Sequence, residues 1–321
     1  MQFTQIPQPY APLGQAIRYA VEQETAGNLD VRIVDEASET LVGAKRFAET
    51  TSAAFDIAPM LRRTLQFTPT TGGTGFQPAG ERSITVRVDA LETGSEAVAA
   101  TAPARTFLPG DEVPAAPCIR TTMPLERLIP EGAADELTLW SDEACAVTVS
   151  GQSADSVTAE SYHSEGVGIQ IFRLDTRDFP ACETLTVDAG ACGVVRYTVI
   201  PASQEAVRMA WRTHCGSIEH YSFPVVRSTT LRIAKQRAES ADGILVTAAE
   251  TDRETELVSA YETPEVLEAL AEIIAAPQVW SIDGEACTPV DVVTQEAVVQ
   301  QRGVLRALEL VVRPKNSVSW N

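Results

Sequence analysis

Histidine and cysteine are the side chains most often used for nucleophilic catalysis and metal binding, and this chain has few of them. The histidines are His163, His214 and His220, and Cys215 directly follows His214. Neighbouring residues on a strand point to opposite faces, so His214 and Cys215 are poorly placed to act as base and nucleophile. No two cysteines have the CxxC spacing of a zinc knuckle. We therefore predict no catalytic residue, no metal site, no cofactor and no enzymatic activity.

Two other segments match chemical sites only in part. Residues 72–75 (GGTG) have the glycines of a phosphate-binding loop but lack the lysine and Ser/Thr of a P-loop. We interpret residues 68–81 as an exposed loop or hairpin tip, and residues 72–75 within it as a flexible turn. Asp175 and Asp178 form the most focused pair of carboxylates that a glycosidase could use. Because both lie beside arginines, we favour a solvated ion-pair cluster.

Three aromatic residues lie on the two arms of an expected hairpin, and they allow two interpretations. Trp211 is on the first strand, and Tyr221 and Phe223 share one face of the second strand. Such residues can form an exposed platform that contacts a glycan or a protein partner, or a core aromatic cluster. We favour the core cluster and name these three residues as the candidate interaction or core site.

The charge of the chain excludes several classes of partner. Its formal net charge is −19 and it contains only three lysines. Nucleic acids and anionic membranes bind cationic surfaces, so we predict neither as a partner. No apolar stretch approaches the roughly 20 residues of a membrane helix, and the N-terminus lacks a signal-peptide pattern. We expect the protein to be made in the cytoplasm, with its six cysteines as buried free thiols.

Short alternating patterns predict a mainly β protein. Residues 29–35 (LDVRIVD) and 83–90 (SITVRVDA) alternate apolar and polar side chains, as a half-buried strand requires. Residues 61–67 (LRRTLQF) are also interpreted as a strand, and residues 98–105 as a linker. A run of short strands separated by turns follows, and we expect a second sandwich-like domain there.

The C-terminal region combines strands with one helix. A hairpin is expected around Cys215-Gly216-Ser217, followed by strands in TTLRIAK, GILVTAAE and RETELVSAYE. The helix is predicted over 264–276, because Thr263 can cap it, a proline fits its first position and Pro277 ends it. The predicted fold is therefore tandem β-sandwich-like domains at 1–97 and 106–201, followed by a β-rich domain with one amphipathic helix at 206–321.

Parts of the sequence resemble predicted virion proteins from phages and prophages of gut Bacteroidetes. Residues 209–223 (MAWRTHCGSIEHYSF) match an aromatic-led strand, a glycine turn and a strand ending in Tyr/Phe-x-Phe in those proteins. The matching positions there are Trp211, Gly216, Tyr221 and Phe223. Further matching positions are Pro12, Asp56, Ile57, Leu267, Leu270, Ile274, Pro277 and Val279. The first 60 residues and the last 115 or so carry the resemblance, and the middle region matches poorly.

This resemblance implies a non-enzymatic structural component of a phage or prophage virion, associated with the tail. Such a protein would be assembled in the bacterial cytoplasm and would end in the virion. Its partners would be other virion proteins or further copies of itself in an oligomer. The alternative is a carbohydrate-binding or adhesin-like β-sandwich protein, for which a glycan is the partner. A hydrolase with a hidden carboxylate pair ranks last.

Overall fold

The computed structural model describes residues 1–92, 94, 97–240, 243–300, 306–315 and 318–320. The chain is mainly β, and its strands form several sheets, as the alternating patterns predicted. The strands are β1 (Gln2–Gln5), β2 (Tyr10–Pro12), β3 (Arg18–Asp35), β4 (Leu41–Asp56), β5 (Gly75–Gln77), β6 (Ile84–Glu92), β7 (Val98–Leu108), β8 (Cys118–Arg120), β9 (Glu126–Pro130), β10 (Ala134–Ser141), β11 (Cys145–Gln152), β12 (Val157–Ser164), β13 (Gly168–Asp175), β14 (Thr184–Asp188), β15 (Val194–Ile200), β16 (Val207–Arg212), β17 (Ile218–Phe223), β18 (Val225–Ser240), β19 (Gly243–Val258), β20 (Val279–Asp283), β21 (Ala286–Val292), β22 (Glu309–Pro314) and β23 (Val318–Trp320). The α-helices are α1 (Ala58–Leu61) and α2 (Pro264–Ala275).

The chain divides into two compact units. Unit 1 comprises Met1–Thr68, Pro78–Pro117 and His214–Gly216, and unit 2 comprises Pro69–Gln77, Cys118–Thr213 and Ser217–Asn321. The three domain ranges 1–97, 106–201 and 206–321 stay a prediction.

Unit 1 is built on one sheet with the strand order β1-β3-β6-β7-β2, and β4 also pairs with β3. The alternation predicted around residue 31 is confirmed, because Val31 and Ile33 are fully buried. Two predictions here were wrong. Residues 98–105 are not a linker but part of β7, which pairs with β6. Residues 61–67 are not a strand: Leu61 ends α1, which has a proline in its first turn, where the missing N–H costs no hydrogen bond.

Two sheets of unit 2 form a β-sandwich. One has the order β5-β13-β10-β8 and the other β12-β11-β14-β15-β9. Their facing side chains form an apolar core that includes Leu137, Val147, Phe172, Leu185 and Val195. Every residue of β13 is buried, so both faces of this strand are covered by other parts of the protein.

The segment at 68–81, predicted as an exposed loop or hairpin tip, is partly a strand. Its residues Gly75–Gln77 form β5, which pairs antiparallel with β13 from Arg173 to Ile171. The glycines and prolines of this segment suggested a turn, but β13 offers an edge with which the main chain of the segment pairs. This part of the prediction was therefore wrong.

The third sheet of unit 2 has the order β17-β16-β20-β21-β22-β19-β18, and β23 pairs with β19. The predicted helix is confirmed as α2, with Thr263 at its N-cap accepting a hydrogen bond from Val266 N. Its Leu267, Leu270 and Ile273 pack into a core shared with Met209 and other sheet residues. Within the described residues, neither helix has the length and apolar character needed to cross a membrane.

Candidate functional site

The three aromatic residues named from the sequence belong to the core beneath α2. Trp211 and Phe223 have no exposed surface, and both lie in the same apolar cluster. Tyr221 is partly buried, packs edge-on against Phe223 with a centroid distance of 5.1 Å, and donates a hydrogen bond to Glu262. Trp211 and Phe223 are therefore not available as a platform for a glycan.

The histidine and cysteine positions match the sequence interpretation in part. His163 is exposed on β12, and His214 is exposed in the turn between β16 and β17, beside the partly buried Cys215. All six cysteines are free thiols, of which Cys145 and Cys192 are buried and the other four are partly buried. In the described part of the chain, no group of three or more potential ligands could hold a metal ion.

The glycine segment at 72–75 does bind anionic groups, and they are carboxylates of the protein itself. Gly72 N donates to Glu285 at 3.0 Å and Thr74 N donates to Asp178 at 2.7 Å. Arg173 Nε donates to Gly72 O at 2.7 Å. Two of the main-chain amides that could hold a phosphate therefore already bind carboxylates of the protein, which argues against phosphate binding here.

The Asp175 carboxylate is an ion-pair centre, as predicted, but it is not solvated. Arg177 contacts it at 2.5 Å and Arg173 at 3.7 Å, and Asp175 is only 1% exposed. Burial alone would raise the pKa of Asp175, but hydrogen bonds and charge from Arg177 lower it below the usual value. The carboxylate is therefore ionised, and its ion pairs with Arg177 and Arg173 hold this part of unit 2 together. Asp178 has a separate role in the glycine segment.

A buried cluster of ionisable residues was missed from the sequence. Arg127 of β9 lies 3.2 Å from Asp135 of β10 and 3.1 Å from Glu219 of β17, and all three side chains are at most 4% exposed. Tyr197 of β15 donates to Asp135 at 2.9 Å. Glu219 also accepts a hydrogen bond from Thr121 at 2.6 Å. The cluster joins the sandwich strands to the third sheet inside unit 2.

Burial changes the protonation of two residues of β17 in opposite directions. Desolvation raises the pKa of Glu219 to about 7, although Arg127 opposes this shift. Desolvation and the nearby charge of Arg208 lower the pKa of His220 to about 4. Both His220 ring nitrogens are buried without a hydrogen-bond partner among the described residues. At neutral pH His220 is therefore neutral, and both the protonated and the ionised forms of Glu219 are populated.

Two cavities in unit 2 share Arg208 and His220. One measures about 250 Å³ and is mostly polar, and the other measures about 570 Å³. The second is the size of a small-ligand pocket. Arg208 is already engaged with Ala134 O at 3.0 Å and Ser222 Oγ at 3.0 Å. The two cavities thus share a neutral imidazole and one guanidinium group that already binds protein atoms.

The hairpin of β18 and β19 in unit 2, which we call the arm, is long and largely exposed. Each strand has 16 residues, well beyond the common length of roughly 3–10 residues. Each is therefore about 50 Å long at about 3.3 Å per residue. Every described side chain of β18, from Val225 to Glu239, is exposed. Within the described chain, β18 pairs only with β19, so its outer edge is open.

The arm carries many exposed apolar side chains. Seven of the fifteen large apolar residues exposed in the described chain lie on it: Val225, Val226, Leu231, Ile233, Ile244, Leu245 and Val246. The register pairs Arg237 with Val246 and Glu239 with Ile244. Because β18 alternates without interruption from residue 231 to residue 239, Leu231, Ile233, Ile244 and Val246 share one face of the ribbon. Concentrated exposed apolar surface of this kind marks an interaction site.

Comparison with known proteins adds no family assignment. No family model and no curated protein matches the chain. Among solved structures, the chain is similar to one described as Dpr2 Ig1-Ig2 in complex with DIP-Theta Ig1-Ig3, at 8% identity and a TM-score of 0.21. That match covers 98% of this chain and 88% of the other chain. A TM-score this low has no bearing on function.

Proposed function

We propose that this protein is a non-enzymatic structural component of a larger assembly and that it acts through protein–protein contacts. The assembly we propose is the virion of a phage or prophage, with the protein associated with the tail. Two lines support this proposal. The sequence resembles virion proteins at Trp211, Gly216, Tyr221 and Phe223, and the arm offers a long, exposed strand edge.

The arm is the observation that carries the proposal. An open edge exposes unpaired main-chain N–H and C=O groups, and soluble proteins ordinarily shorten, bulge or cover such edges. Here β18 is 16 residues long, its one bulge lies near the base at Arg227, and no other described element covers its outer edge. Apolar residues such as Leu231 and Ile233 are more than half exposed on it. A partner that covers the arm would pair these main-chain groups and bury the apolar side chains.

The buried ion cluster supports the same role. A surface that docks a partner gains affinity when it is rigid before binding. Arg127, Asp135 and Glu219 fix the sandwich to the sheet from which the arm extends. Arg127, Arg173 and Arg208, which line the cavities, are already engaged with other groups of the protein, so these buried guanidinium groups hold strands in place.

The test is the presence of this chain in purified particles. Bacteria that carry the gene are induced, and particles from a density gradient are analysed by quantitative mass spectrometry. We expect the chain at a constant ratio to the other particle proteins in every gradient fraction that contains particles. Particles that form normally without the chain would contradict the proposal.

A matched variant connects this test to the arm. In the tip-deleted variant, residues 236–248 are replaced by Asn-Gly, which favours a tight hairpin turn. The new turn joins Lys235 to Ala249, which are already opposite each other, and the pairing of β19 with β23 is kept. Supplied in a strain that lacks the gene, this variant should enter particles at least about tenfold less than the wild type, a loss of about 1.4 kcal/mol.

A further inference from the structure

We infer that the partner of the arm is an acidic strand of another protein, which adds to the outer edge of β18 beside its basic residues. This inference rests on the proposed function and names the chemical class of the partner at the same surface. Three features of the arm support it: an open and regular strand edge, a separation of charge between its two faces, and cations without an ion-pair partner.

The outer edge of β18 is open and regular. Beyond the bulge at Arg227, the strand alternates without interruption from Ser228 to Glu239. The inner edge pairs with β19, and no other described element pairs with the outer edge. By contrast, parts of the outer edge of β19 are occupied, by β22 at Thr255–Val258 and by β23 at Ala249–Thr251. The outer edge of β18 is therefore the longer acceptor for an added strand through main-chain hydrogen bonds.

The two faces of the arm carry opposite charge. The register places Lys235, Arg237 and Arg253 on the same face as the four apolar residues described above. We call this the basic face, and Glu239 is the one acidic residue at its paired positions, which gives a net +2. The other face has a net −3, because it combines Arg232 with the four acidic residues of β19: Glu250, Asp252, Glu254 and Glu256. An acidic partner is therefore attracted to the basic face and repelled by the other.

The cations of the basic face are available to a partner. Lys235, Arg237 and Arg253 are exposed, and they take part in no ion pair among the residues that the structure describes. On the other face, Arg232 is already paired with Glu254 at 2.8 Å. Carboxylates of a partner can therefore form ion pairs on the basic face without displacing any described ion pair of the arm.

The order of side chains along β18 specifies the pattern of the partner strand. In an antiparallel pair, residues directly opposite each other share a face and contact each other. The partner would have carboxylates opposite Arg237 and Lys235, and aliphatic side chains opposite Ile233 and Leu231. Threonine suits the remaining positions because it has a high β-propensity.

A strand of another protein fits this surface better than a membrane or a second copy. A lipid surface offers no groups that pair with the open main chain of β18. A second copy that placed β18 against β18 would bring like charges together, which is unfavourable. A second copy that used β19 would find parts of its outer edge already paired with β22 and β23.

A designed peptide tests this proposal. The peptide Thr-Glu-Thr-Glu-Thr-Val-Thr-Val-Thr follows the pattern expected opposite residues 238 to 230, and in the control peptide lysine replaces both glutamates. Binding of each labelled peptide to the full chain is measured by fluorescence anisotropy. At low salt the acidic peptide should bind at least about tenfold more tightly than the control peptide. The difference should shrink at high salt because exposed charges are screened.

Charge reversal tests whether the peptide contacts the basic face. The variant that combines Lys235→Glu with Arg237→Glu should bind the acidic peptide at least about tenfold more weakly than the wild type, and it should prefer the control peptide. Arg18→Glu with Arg63→Glu makes the same change in net charge at exposed positions outside the arm, and it should bind like the wild type. Both variants should keep the wild-type circular dichroism spectrum.

Methylation of the peptide main chain tests strand addition. In an antiparallel pair, only alternate residues direct their N–H groups toward the neighbouring strand. N-methylation of one alternate set of peptide residues should therefore abolish binding, and N-methylation of the other set should leave it largely unchanged. Equal effects of the two sets would overturn strand addition.

Other results would replace the acidic strand with a different partner or with none. Equal binding of the two peptides, or no binding of the acidic peptide up to its solubility limit, would overturn the proposal. Self-association of the wild type that Lys235→Glu with Arg237→Glu abolishes would identify a second copy as the partner. Binding to vesicles of phosphatidylglycerol and phosphatidylcholine that the same variant abolishes would identify a membrane.

The two proposals fail in different ways. If the acidic peptide does not bind but the chain enters particles only when its arm tip, residues 236–248, is intact, the acidic strand is the wrong partner and the proposed function stands. If particles form normally without the chain, the proposed function is wrong whatever the peptides do.

Discussion

Two consecutive hairpins of the same sheet have opposite environments. The first, β16 and β17, has no exposed residue in either strand. The second, the arm, begins two residues later and is exposed along the whole described length of β18. Both hairpins contain arginines and carboxylates, yet Glu219 of the first is 1% exposed and Arg232 of the second is 68% exposed.

This difference shows that residue type does not decide the role of a strand. The first hairpin packs Trp211 and Phe223 under α2 and contributes Glu219 to the buried cluster. In the second hairpin, the described side chains near the tip pack against no hydrophobic core. Its apolar side chains there therefore contribute little to folding. We infer that the first hairpin stabilises the fold, and our proposal assigns association to the second. The predictions below test that division, from the largest expected effect to the smallest.

Truncation of the buried tryptophan should have the largest effect. Trp211→Ala removes a fully buried side chain, and such changes cost about 3–5 kcal/mol of unfolding free energy. The matched change in the arm, Leu231→Ala, should cost no more than about 0.5 kcal/mol. Urea denaturation followed by fluorescence measures both. Equal losses of unfolding free energy in the two variants would contradict the distinction between the two hairpins.

The buried titratable pair predicts opposite pH dependences. The folded-state pKa of Glu219 is raised from 4.5 to about 7, so its contribution to stability is full below pH 4.5 and is lost as pH rises through 7. The folded-state pKa of His220 is lowered from 6.5 to about 4, so its contribution is full above pH 6.5 and is lost as pH falls through 4. Each amounts to about 3 kcal/mol at most.

Single substitutions separate these two contributions. Relative to the wild type, Glu219→Gln should lose less unfolding free energy between pH 4.5 and 7. His220→Gln should lose less between pH 6.5 and 4. Denaturation at a series of pH values measures both, and only the pH slopes are compared, since either change also alters packing. Identical slopes in the wild type and both variants would show that these groups titrate normally.

The exposed ion pair of the arm should contribute much less. Arg232 and Glu254 are 2.8 Å apart, but the arginine is largely in solvent. A double-mutant cycle with Arg232→Ala and Glu254→Ala should give a coupling below about 1 kcal/mol, decreasing with salt. A larger, salt-independent coupling would mean that the arm is covered in solution.

The tip-deleted variant should have the smallest effect on stability. The described residues that the deletion removes are exposed or at most partly buried, so the unfolding free energy should change by no more than about 0.5 kcal/mol. Thermal and urea denaturation of the purified variant check this. A substantial loss of stability would show that the tip contributes to the folded core, contrary to the division drawn between the hairpins.

The sequence predicted the local elements well where one physical signal dominates. The period-two pattern at Val31 and Ile33, the Thr263 cap with its following proline, and the turn at Gly216 each appear in the structure. The linker at 98–105 and the strand at 61–67 were wrong because alanine, threonine and leucine fit more than one local structure. Tertiary pairing with β6 and burial of α1 decided those segments.

The buried ion cluster could not be predicted from one sequence. Arg127, Asp135 and Glu219 are separated by up to 92 positions in the sequence, and an isolated arginine or carboxylate normally indicates surface. The sequence contains only a weak indication of the arm. Residues 225–242 contain neither glycine nor proline, and a basic strand is followed by an acidic one. Three shorter strands were predicted in this region, and the full length of the arm was not predicted.

The sequence alone determined that this protein is mainly β, strongly acidic and equipped with one capped amphipathic helix, because these properties depend on neighbouring residues and on composition. Only the tertiary structure decided which charges are buried and which strand edge is open. Burial and edge exposure depend on contacts between residues that are distant in the chain, and a period-two strand has the same local pattern in both environments.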